Sequence, residues 1–266
     1  MKFKADNYLK RVRGVNGWFS QTDVEVFTIL LELQAKFGTK GDILEIGTFE
    51  GKSSILLGSF LDDKQRLHIC DTFDIPTEGL NEIENLQSYP GLTQERFIRN
   101  YRKFHSLGPI VYKCKSTDLG SKSFGSQFRF IHIDGSHLYE NVKFDISLSV
   151  ELLSEPTGIL VLDDYRAYHS FGVALAVWEL ISKGNFVPVI LTQNKIYLVQ
   201  ANSRVFNHEV AEELRSYEID FVIEKLFDFE FYRVVGSTNG NLYRDKSIIR
   251  EFIPPILLRM LRRVFN

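Results

Sequence analysis

Cysteine is scarce in this sequence, with only Cys70 and Cys114 in 266 residues. Each sits in an apolar, strand-like run. The pair therefore reads as reduced buried thiols, not as a disulfide framework or a metal knuckle. No charge of one sign dominates: 32 basic side chains against 34 acidic ones leave a formal charge of -2. That balance argues against a nucleic-acid binder, which presents a strongly basic face. No apolar run nears the roughly 20 residues of a membrane span. The opening MKFKADNYLKRVRG lacks the apolar core of a secretory signal, so a cytoplasmic location is expected. The chain carries no internal repeat and no low-complexity tract.

What is present suits a folded domain: 44% hydrophobic, 25% charged and 13% aromatic residues, enough for one large α/β core with appendages. Apolar residues recur at Val24, Phe27, Leu30, Leu31 and Leu33. That spacing predicts a helix over 23–37, capped by Thr22 or Asp23 and stopped by Gly38. Short apolar runs at 42–46, 66–70, 110–114, 128–133 and 159–162 read as strands. Helical stretches at 53–61, 93–104, 139–153 and 173–182 alternate with them, and Ser53 is expected to cap the first. Residues 186–191 and 195–199 read as a hairpin around Thr192-Gln193-Asn194. A further crossover is expected in the weak stretch 117–127. Such alternation implies an α/β fold with a doubly wound, mostly parallel seven-stranded sheet and one antiparallel strand near an edge. Residues 74–94 read as a long polar loop of the kind that covers binding sites.

The first strand runs into EIGTFEGKSS, residues 45–54. Its Gly47-x-x-x-Gly51-Lys52-Ser53 falls one residue short of a triphosphate P-loop. It also lacks the G-x-G-x-x-G order of a dinucleotide turn. In open α/β sheets, ligands bind beyond the carboxyl ends of the strands. The residues there include Asp71-Thr72-Phe73, Ser116-Thr117-Asp118, Asp134-Gly135-Ser136-His137 and Asp163-Asp164-Tyr165. This rim is acidic, and Glu45 and Glu50 add to it around the turn. Carboxylates repel phosphates. They suit a ligand with ribose hydroxyls, an amino group and a positive centre. Asp71, roughly 20 residues past the turn, stands where an acid accepts hydrogen bonds from ribose hydroxyls. At this point a P-loop-like nucleotide enzyme using Lys52 and Ser53, an NAD-dependent oxidoreductase and a non-catalytic peripheral membrane or scaffold protein all remain open.

Further stretches narrow the field: GWFS (17–20), ILEIGTFEGKSS (43–54), HICDTFD (68–74), FIHIDGSHLYENVKFDI (130–146), GILVLDDY (158–165), GVALAVWEL (172–180) and KIYLV (195–199). Together they resemble the class I S-adenosylmethionine-dependent methyltransferases. Over residues 15–200 the likeness is to the metal-dependent small-molecule O-methyltransferases: the macrolide sugar and cephamycin-pathway enzymes and, more distantly, the catechol enzyme. The resemblance implies a Rossmann-like methyltransferase fold. It implies methyl transfer to a hydroxyl of a small molecule, with a sugar or glycosylated metabolite as first guess. It divides the chain into an N-terminal helical cap (1–40), an S-adenosylmethionine-binding catalytic domain (41–200) and a C-terminal extension (201–266).

The resemblance also implies roles. Glu45, Gly47 and Gly51 match the motif at the methionine end of the cofactor, with Thr48 and Ser53 in the same turn. Asp71, with Thr72 and Phe73, matches the ribose-binding motif, and Ser116 and Thr117 match the pair beside the adenine. Asp134, Asp163 and Asp164 match a divalent-metal triad, and oxygen-only ligation favours Mg²⁺. Asp134 also borders the cofactor. His137 falls where the catechol enzyme has its catalytic lysine, so His137 or Asp134 is the expected base. His132 and His169 are expected to be structural. In the tail, IPPILLRMLRRVFN places Leu257, Leu261, Val264 and Phe265 on one helical side. That face suits docking on its own domain or on a second copy in a homo-oligomer, or peripheral membrane contact through residues 250–266.

Overall fold

In the computed structural model, residues 5–76, 89, 91–154, 156–203, 206–226 and 229–237 are described. Of the long loop expected over 74–94, residues 77–88 and 90 lie outside them, as does the tail over 244–266. Nine strands form one sheet: β1 (Asp42–Ile46), β2 (Leu67–Asp71), β3 (Ile110–Lys113), β4 (Phe128–Ile133), β5 (Ile159–Leu162), β6 (Phe186–Leu191), β7 (Ile196–Gln200), β8 (Ile219–Leu226) and β9 (Phe229–Ser237). Their order is β3-β2-β1-β4-β5-β7-β6-β9-β8. β1 to β5 are mutually parallel, and β7 is antiparallel to both β5 and β6. The chain moves outward from β1 to β2 and β3, then returns to β4 on the other side of β1. That reversal opens a crevice at the carboxyl ends of β1 and β4, the usual ligand position in such sheets.

Helices cover both faces. On one lie α1 (Ala5–Arg11), α2 (Gln21–Lys36), α3 (Lys52–Gly58), α4 (Gln94–Tyr101) and α7 (Phe206–Ser216). On the other lie α5 (Tyr139–Leu152) and α6 (Phe171–Ser182). Alternation along the strands feeds both layers: Phe130 packs with the first set and its neighbour Ile131 with the second. Both are fully buried, which is why the central strands read as unbroken apolar runs. Each such side chain contributes roughly 1.5–3 kcal/mol on leaving water. Cys70 is buried, Cys114 is half-buried, and both are free thiols.

Several details differ from the sequence expectations. Helix α2 starts two residues earlier than its apolar spacing implied. Ser20 is its cap, accepting from the Asp23 backbone N–H at 3.0 Å. Asp23 is instead buried and accepts from Thr192 Oγ1 and Tyr197 OH at 2.6 and 3.0 Å. Ser53 does not cap α3; that position belongs to Gly51, in the left-handed region at φ 92°. The weak stretch 117–127 holds no α-helix. Two single 3₁₀ turns, Ser116–Asp118 and Ser121–Ser123, carry the chain across, pinned by buried Phe124. The sheet has nine strands because α7, β8 and β9 extend it beyond Gln200. β8 buries only Ile219, its other residues being half-buried or exposed, instead of forming an apolar run, so its signal was weak. No helix among the described residues is long and apolar enough to cross a membrane.

Candidate active site

A cavity of about 340 Å³ lies at the crevice, bounded by the turns after β1, β2, β3 and β4 and by the Asn16–Trp18 segment. The turn after β1 needs its glycine. Gly47 has φ 81°, and a Cβ there would stand 2.1 Å from the Asp134 carbonyl oxygen. Only glycine lets the two strand ends approach so closely. Phe49 and Phe73 also have positive φ, both at 50°. Strained non-glycine backbone of this kind gathers at functional sites. Phe49 stacks on Trp18 at 5.8 Å and meets Tyr89 at 5.1 Å, giving the cavity an aromatic wall.

Most residues expected at the cofactor line this cavity. Gly47, Thr48 and Ser53 stand on one side, Asp71, Thr72 and Phe73 on the next, Ser116 and Thr117 beyond them, and Asp134 across. Asp71 holds the turns together as well. Its carboxylate accepts from the backbone N–H groups of Thr48 (2.7 Å), Phe49 (3.3 Å) and Phe73 (2.7 Å). Burial raises its pKa, and these three bonds oppose the rise.

Glu45 and Gly51 stand behind the lining. Glu45 is fully buried and accepts from Ser53 Oγ at 2.5 Å, from Ser54 Oγ and from His132 Nδ1 at 2.8 Å. A Cβ on Gly51 would meet the Phe97 ring at 2.8 Å. Glu50 ties the N-terminal segment down through Asn16 and an ion pair with Arg96 at 2.6 Å. Lys52 donates to the Gly17 carbonyl at 2.6 Å. Both side chains that a P-loop reading needs, Lys52 and Ser53, are thus engaged by the protein itself.

The carboxylates after β4 and β5 do not gather as one triad. Among the described residues two metal-capable trios form instead: His132, Asp134 and Asp163, and His137, Asp164 and His169. In the second, His137 Nε2 lies 2.9 Å from Asp164 Oδ2. Asp134 faces the cavity, whereas His137, Asp163 and Asp164 do not line it. Asp163 forms an ion pair with Lys195, a buried residue that also stands 3.2 Å from His132 Nε2. His132 therefore donates from Nδ1 to Glu45 and accepts at Nε2 from Lys195. Burial would raise Asp163, but the Lys195 ammonium outweighs it and holds the carboxyl below its ordinary range. Asp134 is pushed well above its ordinary range, first by burial and then by the Asp163 charge.

Three residues of this site were not legible as such in the sequence. Lys195 begins an apolar hairpin strand, and that oddity is its only trace. His132 reads as an in-strand histidine. Asp145 lies mid-helix in α5, yet it lines the cavity, is 1% exposed and leaves Oδ1 without a hydrogen-bond partner. Burial lifts it to about 7, with the Ser116 hydroxyl opposing.

A doubly wound sheet with an acid-rimmed cavity at its switch point is the ligand-binding arrangement of open α/β proteins. Comparison with known proteins makes this more specific. Residues 44–165 match the family model described as a methyltransferase domain. No curated protein matches in sequence. Among solved structures, the chain is similar to the O-methyltransferase NovP, with 16% identity, a TM-score of 0.56 and coverage of 67% of this chain and 80% of that one. It is also similar to a putative caffeoyl-CoA O-methyltransferase from Staphylococcus aureus, with 14% identity, a TM-score of 0.51 and coverage of 75% and 93%. Residues 44–165 thus carry the match to a methyltransferase domain, and the chain shares the Rossmann-like fold of these O-methyltransferases.

The cavity fits S-adenosylmethionine: it offers a glycine cradle at Gly47, a carboxylate at the turn after β2 and an orphaned buried acceptor, Asp145 Oδ1, at the Ser116 end. The three-carboxylate Mg²⁺ set does not fit equally, because Asp163 is paired with an ammonium and Asp164 with His137.

Proposed function

We propose that the protein methylates a hydroxyl oxygen of a small molecule, with Asp134 as the general base. When bound, S-adenosylmethionine supplies an electrophilic methyl on a sulfonium. The chain's residues do the rest. Gly47 gives the cofactor close access to the backbone. Asp71 offers its remaining lone pair to ribose hydroxyls, and Ser116, Thr117 and Asp145 serve the adenine end. The aromatic wall of Trp18, Phe49 and Tyr89 offers rigid, flat contact area to the acceptor. That surface and the sequence resemblance support a sugar or glycosylated acceptor.

One observation carries the reading. Asp134 is the carboxylate of the strand-end cluster that faces the cavity, and burial with the Asp163 charge beside it raises its affinity for a proton. Its side chain keeps 29% exposure. Holding an acceptor hydroxyl against it fixes direction, and orientation lowers much of the barrier to such a transfer.

The test uses purified protein, a panel of hydroxylated sugars and glycosides, and mass-spectrometric detection of a 14-dalton gain, the mass of the added methylene. S-adenosylhomocysteine is expected to raise the melting temperature, while ATP and NAD leave it unchanged. Stabilisation by ATP alone would overturn the assignment.

A further inference from the structure

We infer that the buried ammonium of Lys195 stands in this chain where a divalent ion would otherwise sit, so that the strand-end cluster carries its own fixed cation. The inference rests on the methyltransferase reading only for what the cluster serves.

Register places the pair. Leu162 of β5 is opposite Ile196 of β7 in the antiparallel ladder. The next position outward brings Asp163 opposite Lys195. Lys195 is 2% exposed and salt-bridged to Asp163. Its Nζ also lies 3.2 Å from His132 Nε2 and 5.9 Å from the Phe19 ring centroid. The ammonium is thereby satisfied on several sides.

The trio His132, Asp134 and Asp163 has ligand atoms within 4.8 Å of one another. Such a group would attract a cation. Two of its three members already direct lone pairs at one: Asp163 and His132 Nε2 both face Lys195, while His132 Nδ1 donates to Glu45. An ammonium has no lone pair and cannot ligate a metal. Seating a divalent ion beside it would bring like charges together in a buried site, where repulsion is poorly screened. Nor is the lysine poised to lose its proton. Burial pulls its pKa down, but Asp163, Asp134 and Asp23 outweigh this and raise it.

The experiment compares three proteins, all carrying H169A to silence the second trio: the parent, K195M, and K195M with D163N. Mn²⁺ is the probe, read by calorimetry and by electron paramagnetic resonance. Melting temperatures are taken with Mn²⁺ and with chelator. The parent's melting temperature is expected to be the same in both. K195M should melt lower, recover on adding Mn²⁺, and bind the ion about tenfold or more tightly than the parent does. D163N should erase that gain.

The inference is overturned if the parent binds Mn²⁺ stoichiometrically and a fourth protein, the parent with D163N, loses that binding. A folded K195M that gains no Mn²⁺ overturns it equally. If K195M does not fold, K195R decides: unchanged folding and indifference to Mn²⁺ support a cation requirement, and a new Mn²⁺ site opposes it. Titration of S-adenosylhomocysteine into each protein reads the methyltransferase assignment separately. Its failure in the parent would remove that assignment while leaving the metal result standing.

Discussion

Three carboxylates at the rim have different neighbours and so different chemistry. Asp163 is held ionised by Lys195, Asp134 is raised beside the cavity, and Asp145 is buried with an unpartnered oxygen. Asp134→Asn is expected to lower turnover by about 10²–10⁴-fold while S-adenosylhomocysteine affinity stays within a few-fold, measured by steady-state kinetics and calorimetry. Equal turnover would move the base elsewhere, to His137 first. Asp145 gives a pH signature. Its folded pKa of about 7 lies above the ordinary 3.8, so the native state binds the proton more tightly than the unfolded chain does. Stability should therefore be greatest in acid and fall as pH rises from about 4 to 7, by at most about 4 kcal/mol. Melting curves of Asp145→Asn over that range should lack this slope. Lys195→Met leaves the Asp163 charge buried and unpaired, and should cost about 3–5 kcal/mol in urea unfolding.

At the scale of elements, the turn after β1 does two things. It closes a backbone contact with the Asp134 strand end and shapes the cavity floor. Gly47→Ala meets both a positive φ and a carbonyl 2.1 Å away. It should cost more than about 1 kcal/mol and weaken S-adenosylhomocysteine binding measurably. Unaltered binding in a folded variant would mean the cofactor does not use this turn. The existence of the parallel strands, the main helices and the closing hairpin was legible because both faces of the sheet are covered, leaving unbroken apolar runs. The cap of α2 was misplaced because Ser20 precedes the apolar stripe by a full turn. The crossover expected in 117–127 was an inference from topology, and two short turns, with glycines at 120 and 125, make it without an α-helix.

At the scale of the molecule, β9 pairs parallel with β6, and α7 buries Val210, Ala211 and Leu214 on the α2 side. Residues 206–237 thus complete the sheet. A chain ending at residue 203 would leave β6 as a bare edge and uncover the apolar α2 surface. It should aggregate or melt well below the full chain in light-scattering and calorimetric scans; equal melting would make this region dispensable. β8 and β9 were faint in the sequence because an outer hairpin with one wet side needs only alternate apolar residues.

The order of residues alone determined the α/β class, the glycine turn, the acids at the strand ends and the methyltransferase likeness, since each is written in local spacing. Which acids meet which cations was settled only by folding. Lys195 and Asp163 stand 32 positions apart, and only the antiparallel pairing of β7 with β5 sets them face to face. Local periodicity sets the direction of a side chain from its own strand, whereas the charge it meets depends on the order in which strands assemble.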